Sequence, residues 1–265
     1  MDFWQGKTVI VTGASRGIGR ALALQLAQRG GRLALAARSA GELRELGAEL
    51  AASGAEVLLQ PTDVTDRAAV TALVEAAGGR FGRLDVLINN AGIGLRSRVA
   101  ELRPEELERA LAVNLLGPLH LIQAVLPWFT SGGGGLIVNI CSLGAVQPAP
   151  NIGGYSATKA ALAALGAAAR LELMPLGVRV CNVFPGSAAT GFRAHALGQA
   201  YPENEPRLSR VTPELVAERV LAGAARGRRD IFITLPDRLL AALARWAPGV
   251  ADRLVAQAFH RARGA

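Results

Sequence analysis

The chain alternates short aliphatic runs with amphipathic ones from end to end, and this alternation limits its possible folds more than any other feature. Thr8–Thr12, Leu33–Ala37, Val57–Gln60, Leu84–Ile88, Leu136–Ile140, Val178–Val183 and Ile231–Thr234 read as strands. Between them apolar residues return at helical spacing, near Ile18–Gln28, Ala40–Ala52, Arg67–Ala77, Pro104–Leu116, Tyr155–Leu173 and Pro213–Ala225. Short runs with little polar alternation are buried on both faces, and strands separated by helices pair in parallel. Right-handed crossovers then predict an α/β fold, a doubly wound parallel sheet of about seven strands.

Composition supports one core and excludes several function classes. The 265 residues are 51% hydrophobic and 19% charged, too apolar for disorder. Cys141 and Cys181 lie in strand-like runs and form no CxxC pair, which excludes a disulfide scaffold and a thiolate metal site. His120, His195 and His260 show no metal-ligand spacing, so no metal is expected. The N-terminus lacks the layout of a signal peptide, and no uncharged apolar run reads as a spanning helix. A cytoplasmic protein is expected. The net charge of +8 comes from basic residues spread singly, with no cluster interleaved with aromatics. That pattern suits an anionic small molecule better than nucleic acid.

Residues 1–234 read as one Rossmann-type domain and residues 235–265 as a C-terminal amphipathic helical extension of it. In the extension Leu235, Leu239, Leu243, Trp246, Val250 and Leu254 recur every three to four positions, opposite Arg238, Arg245 and Arg253. Pro248-Gly249 interrupts the run. Such a segment either packs on the domain or a second subunit, or makes weak contact with an anionic membrane surface.

After the first strand comes Thr12-Gly13-Ala14-Ser15-Arg16-Gly17-Ile18-Gly19, leading into a helix. A glycine turn at a helix N-terminus turns free backbone N–H groups and the positive dipole end toward a pyrophosphate. Gly6-Lys7-Thr8 precedes the strand instead of following it and is no P-loop. At the end of the second strand, where an acidic residue would hold a ribose 2′-hydroxyl, stand Arg38 and Ser39. With Arg16 from the turn they suit a 2′-phosphate, hence NADP(H) rather than NAD.

Of the 29 basic residues only two are lysines, Lys7 and Lys159, and the chain has only two tyrosines, Tyr155 and Tyr201. Tyr155 and Lys159 are four apart on one helix face, a spacing that chance gives roughly once in seventy such chains. A phenol titrating near about 10 is a poor acid or base at neutral pH, and an ammonium beside it is expected to lower that value.

These motifs in this order resemble the short-chain dehydrogenase/reductase family, from Gly6 to about Thr234, and Arg38 resembles its NADP-preferring branch. Thr12–Gly19 is similar to the family's TGxxxGxG turn, and Asn89-Asn90-Ala91-Gly92 to its NNAG segment. The resemblance implies an oxidoreductase that interconverts a carbonyl and a secondary alcohol by hydride transfer with NADP(H). It makes Tyr155 the general acid or base and Ser142, thirteen residues earlier, the hydrogen-bond partner of the substrate oxygen. Lys159 would tune Tyr155 and contact the ribose, while Asn114 would hold a water leading from Lys159 to solvent. Asp63-Val64 would contact adenine, and Pro185-Gly186 with Ala188 and Thr190 would hold the nicotinamide. Taken singly, Ser142 reads as a strand-end hydroxyl, Asn114 as a polar residue inside a helix and Asp63 as a helix N-cap. Homo-oligomers are common in the family.

The substrate is expected to meet Gly94–Arg98, Leu143–Gly154 and Ser187–Thr212, the last able to close as a lid through Phe192, His195 and Tyr201. Ala145, Val146, Pro148, Ala149 and Ile152 make the second loop apolar and imply a largely apolar substrate. Two other classes remain open on sequence alone, an NADP(H)-binding sensor without turnover and a nucleic-acid binder.

Overall fold

The computed structural model describes residues 2–188, 191–202 and 210–261. Seven strands form one parallel sheet: β1 (Thr8–Thr12), β2 (Arg32–Ala37), β3 (Val57–Pro61), β4 (Val86–Asn89), β5 (Gly135–Ile140), β6 (Val178–Phe184) and β7 (Asp230–Phe232). Their spatial order is β3-β2-β1-β4-β5-β6-β7. The chain therefore winds outward from β1 and then outward again from β4, and a crevice opens where the winding reverses.

The lack of polar alternation has a direct cause. Val9 and Val11 of β1 pack on one face with α1 (Gly17–Gln28), α2 (Ala40–Ala52) and α7 (Pro213–Ala225). Ile10 packs on the other face with α3 (Arg67–Phe81) and α5 (Gly117–Ser131). With both faces covered, every position of β1 is buried. The helices start where polar side chains close their first turns. Asp66 accepts from Ala68 N and Ala69 N ahead of α3 (2.8 and 3.3 Å), and Thr212 accepts from Leu215 N ahead of α7 at 3.2 Å. Gly82, at φ 74°, ends α3 in the left-handed conformation.

Two sequence expectations change. The helix expected near Pro104–Leu116 is α4 (Pro104–Leu111), which runs through a π-helical turn, Ala112–Leu116, straight into α5. Gly117-Pro118 and Pro127 hide α5 in the sequence, yet Pro118 falls in the first turn and Pro127 is absorbed within the helix. An 18-residue window of the combined Pro104–Ser131 stretch has a mean hydropathy of 1.5, enough by length and composition to cross a membrane, contrary to the expectation that no uncharged apolar run is. Its apolarity has a use in the core, since Leu121, Ile122, Val125 and Phe129 pack under α3 and the sheet.

Beyond β7, α8 (Leu235–Trp246) opens with a reciprocal cap in which Thr234 and Asp237 bond each other's backbone N–H. It packs against α9 (Pro248–Arg261). The pair buries Ala241, Ala251 and Val255 and leaves Leu235, Leu239, Trp246, Val250 and Leu254 exposed.

Candidate active site

The switch point of the sheet opens into a cleft of 390 Å³. At one end is the turn after β1. Gly13 and Gly17 hold positive φ (62° and 54°), and a side chain on Gly13 would lie 2.9 Å from Ala91 Cα. A Cβ on Gly19 would fall 2.1 Å from the Gly13 carbonyl oxygen, so the turn and α1 can approach only without one. Asn90 braces this geometry, donating from Nδ2 to Thr12 O (2.9 Å) and Gly13 O (3.1 Å). The Thr12 hydroxyl accepts from Asn90 N and Ala91 N at 3.1 Å. The cradle is thus a turn locked from below and open above, with the N-terminus of α1 behind it.

Arg16, Arg38 and Ser39 lie at the outer end of the same cleft, and both arginines are exposed. Ser39 Oγ caps α2, accepting from Glu42 N at 3.4 Å. Sequence reasoning missed Glu42, which also lines the cleft and accepts a 2.8 Å hydrogen bond from Ser15 Oγ. Its signal was its place in the first turn of α2, where an acid suits the helix dipole. Asp63 and Val64 line the cleft as well; Asp63 is no helix cap, since its Oδ1 accepts from Thr65 N and Oγ1 while Asp66 caps α3.

At the inner end stand Ser142, Tyr155 and Lys159. Ser142 follows β5 and hydrogen-bonds the Tyr155 phenol; its Oγ also accepts from Gly144 N at 3.1 Å. Tyr155 opens the long helix α6 (Gly153–Glu172), its ring edge-on to Phe192 with centroids 5.8 Å apart. One turn on, Lys159 is buried and donates from Nζ to Ile140 O at 2.9 Å. Burial pulls its pKa down to about 8. The expectation that Lys159 lowers the Tyr155 pKa is reversed here, because burial pushes the phenol well above its ordinary value against the smaller opposing effect of the Ser142 hydrogen bond. Lys159, whose ammonium is engaged by the Ile140 carbonyl, is not among the groups that lower the phenol pKa.

Asn114 does not line the cleft. It is fully buried in the π-helical turn, accepting from Ile93 N at 2.8 Å and donating to Ile93 O at 2.9 Å and Thr158 Oγ1 at 3.0 Å. A Cβ on Gly92 would lie 3.2 Å from both Asn114 Oδ1 and Lys159 Nζ, so these two atoms flank one face of Gly92. Ala91, Gly92, Pro185, Gly186 and Ala188 line the cleft with Ile18, while Thr190 lies outside the described residues.

A second missed feature lies beneath the site. Asn89, Asn139 and Asn182 occupy one register across β4, β5 and β6. Asn89 Nδ2 donates to Asn139 Oδ1 (2.9 Å), Asn139 Nδ2 to Asn182 Oδ1 (3.2 Å), and Asn182 Nδ2 to Ala163 O of α6 (2.8 Å). One asparagine near the end of each of three successive aliphatic strands was the available signal.

The outer wall comes from the three predicted loops, held together by short parallel bridges. Leu95–Arg96 pairs with Leu197–Gly198, and Ser97 with Ile152. Leu143, Ala149, Ile152, Phe192, His195 and Tyr201 face the cleft, joined by Phe259 from α9, a contributor absent from the sequence reading. Gln147 Nε2 ties this wall to α9 through Asp252 Oδ1 at 3.3 Å. Lys7, the other lysine, pairs with Asp85 at 3.2 Å in a separate pocket away from the cleft.

Comparison with known proteins agrees with this arrangement. A sequence profile described as short chain dehydrogenase matches residues 7–199. A glycine betaine reductase of Emericella nidulans is 40% identical over 185 residues, 70% of this chain and only 15% of that much longer protein. An uncharacterized oxidoreductase of Staphylococcus aureus is 34% identical over 81% of this chain and 89% of its own. Among solved structures, a Burkholderia phymatum short chain dehydrogenase/reductase in complex with NAD superposes with a TM-score of 0.85 at 27% identity, covering 94% of this chain and 96% of that one. A Thermococcus sibiricus alcohol dehydrogenase complexed with 5-hydroxy-NADP gives 0.76 at 34% identity, over 85% and 95%. The cradle, the helix that carries Tyr155 and Lys159 and the sheet order occur together in a chain whose sequence matches one family over most of its length, and the protein is an oxidoreductase of the short-chain dehydrogenase/reductase family.

Proposed function

We propose that the protein is an NADP(H)-dependent oxidoreductase that interconverts a carbonyl and a secondary alcohol, acting on a largely apolar substrate in the cytoplasm. The observation that carries this reading is one continuous cleft with the glycine cradle at one end and Ser142, Tyr155 and Lys159 at the other. The residues fit a dinucleotide, because the cradle exists only where Gly13 and Gly19 carry no side chain. Gly13, Ser15, Gly17 and Ile18 would take the pyrophosphate, and Arg38 with Arg16 the 2′-phosphate. Asp63 and Val64 would flank adenine, with Ala91, Gly92, Pro185, Gly186 and Ala188 toward the nicotinamide. When bound, the nicotinamide supplies or accepts the hydride.

The protein's own groups handle the proton. Burial keeps the Tyr155 phenol protonated, which suits the acid of carbonyl reduction, and Ser142 orients it and donates to the substrate oxygen. Lys159, poised near 8, can return a proton to Tyr155 close to neutral pH. Asn114 Oδ1, beside Nζ across Gly92, would hold the water that recharges it. Aliphatic and aromatic wall residues favour an apolar substrate.

The test is nicotinamide absorbance with NADPH and NADH in parallel, against ketones and aldehydes of graded size and polarity. Tyr155→Phe should lower turnover by about 10²–10⁴-fold. Arg38→Ala should selectively weaken use of NADPH. Faster turnover with NADH would end the role given to Arg38, and preference for short polar ketoses would end the apolar assignment. NADPH binding with no turnover would favour a sensor.

A further inference from the structure

The helix pair at the C-terminal end of the described chain has two unlike faces. The inner face of α9 places Phe259 in the cleft and Asp252 on Gln147. Its outer face carries Val250 and Leu254, about half exposed, and α8 continues the apolar stripe with Leu235, Leu239 and Trp246. Trp246 is 82% exposed, an unusual position for an indole in a protein whose other two tryptophans are packed or hydrogen-bonded. Arg238, Arg245 and Arg253 stand exposed beside this stripe. Of the two acids in these helices, Asp237 is buried in its reciprocal cap and Asp252, though exposed, is paired with Gln147 of the cleft wall.

The geometry points to an anionic lipid bilayer as the partner of this face. A leucine-rich stripe with one tryptophan, flanked by arginines, with one carboxylate buried in a cap and the other held by Gln147, combines apolar insertion with electrostatic attraction to anionic headgroups. Arg245, 5.9 Å from the Trp246 ring centroid, places guanidinium and indole together, as an interfacial anchor requires. A second protein surface would have to supply acidic groups against three exposed arginines, and a second copy of this face would instead oppose arginine to arginine. The docked helix pair would leave α9 as a partition between lipid and cleft. This inference is independent of cofactor choice and of turnover.

Vesicle co-sedimentation tests it, using phosphatidylcholine alone and phosphatidylcholine with phosphatidylglycerol at low ionic strength. Trp246 emission serves as a second readout, because Trp4 is buried and Trp128 is half-buried. The expected result is partitioning onto the anionic vesicles with a blue-shifted emission, weakened at least tenfold by high salt. The triple variant Arg238→Glu, Arg245→Glu and Arg253→Glu, and separately Leu239→Glu, should each lose at least tenfold. Cofactor binding in the same variants confirms folding. Absence of binding to anionic vesicles, or binding that survives the charge reversal undiminished, overturns the inference. So does a dimer that Leu239→Glu disperses in a protein that ignores vesicles, which would assign the stripe to a second copy.

Discussion

Lys159 illustrates the conflict a buried lysine imposes on its fold. Its side chain is nearly out of water, and burial lowers its pKa from the ordinary 10.5 to about 8. Between those two values the unfolded chain still holds a proton that the folded protein has released. Stability therefore rises with pH across that window, and below pH 8 the full cost of burying the charge is present. Lys159→Met should accordingly raise the melting temperature at pH 7 by a few degrees, at roughly 2–4 °C per kcal/mol, and flatten the pH dependence between 8 and 10.5 while abolishing turnover. A lower melting temperature at pH 7 would show that the lost bond to Ile140 O outweighs the relief of charge. The residue's importance was legible from its rarity and its spacing from Tyr155; the direction of the tyrosine shift was not, because desolvation depends on what the fold stacks above the ring.

At the scale of elements, the asparagine row across β4, β5 and β6 anchors α6, the helix that carries Tyr155 and Lys159, to the sheet. A Cβ on Gly166 would lie 2.3 Å from Asn182 Oδ1 and 2.7 Å from Asn139 Nδ2, so the helix rests directly on the row. Asn139→Ala leaves one donor and one acceptor buried without partners and should cost about 2–5 kcal/mol, read as a shifted denaturant midpoint at unchanged slope. A loss under about 1 kcal/mol would mean that the row relaxes or hydrates. Strands and most helices were legible because both faces of the sheet are covered and the caps are local. α5 was not, since Gly117-Pro118 reads as a break unless a π-helical turn carries the chain through it. The same turn holds Asn114 under Gly92 and against Thr158, a contact between residues far apart in sequence.

Across the whole molecule, the segment that looked like an appendage forms part of the cleft. Phe259 lines the cleft more than a hundred residues from Tyr155. Phe259→Ala should raise KM for bulky apolar ketones about tenfold and leave small ones nearly unchanged, checked by steady-state kinetics over a size series. Equal effects on all substrates would mean that α9 only supports the wall. The fold class, the cradle, the Tyr155–Lys159 pair and the basic outer end were determined by the sequence alone, because each rests on local periodicity or on short spacings that a strand or helix converts directly into geometry. The Glu42–Ser15 contact, the asparagine row, the raised Tyr155 pKa and the inward reach of Phe259 were decided only by the tertiary structure. Burial and contact between distant residues depend on how the layers pack, and no local pattern carries that information.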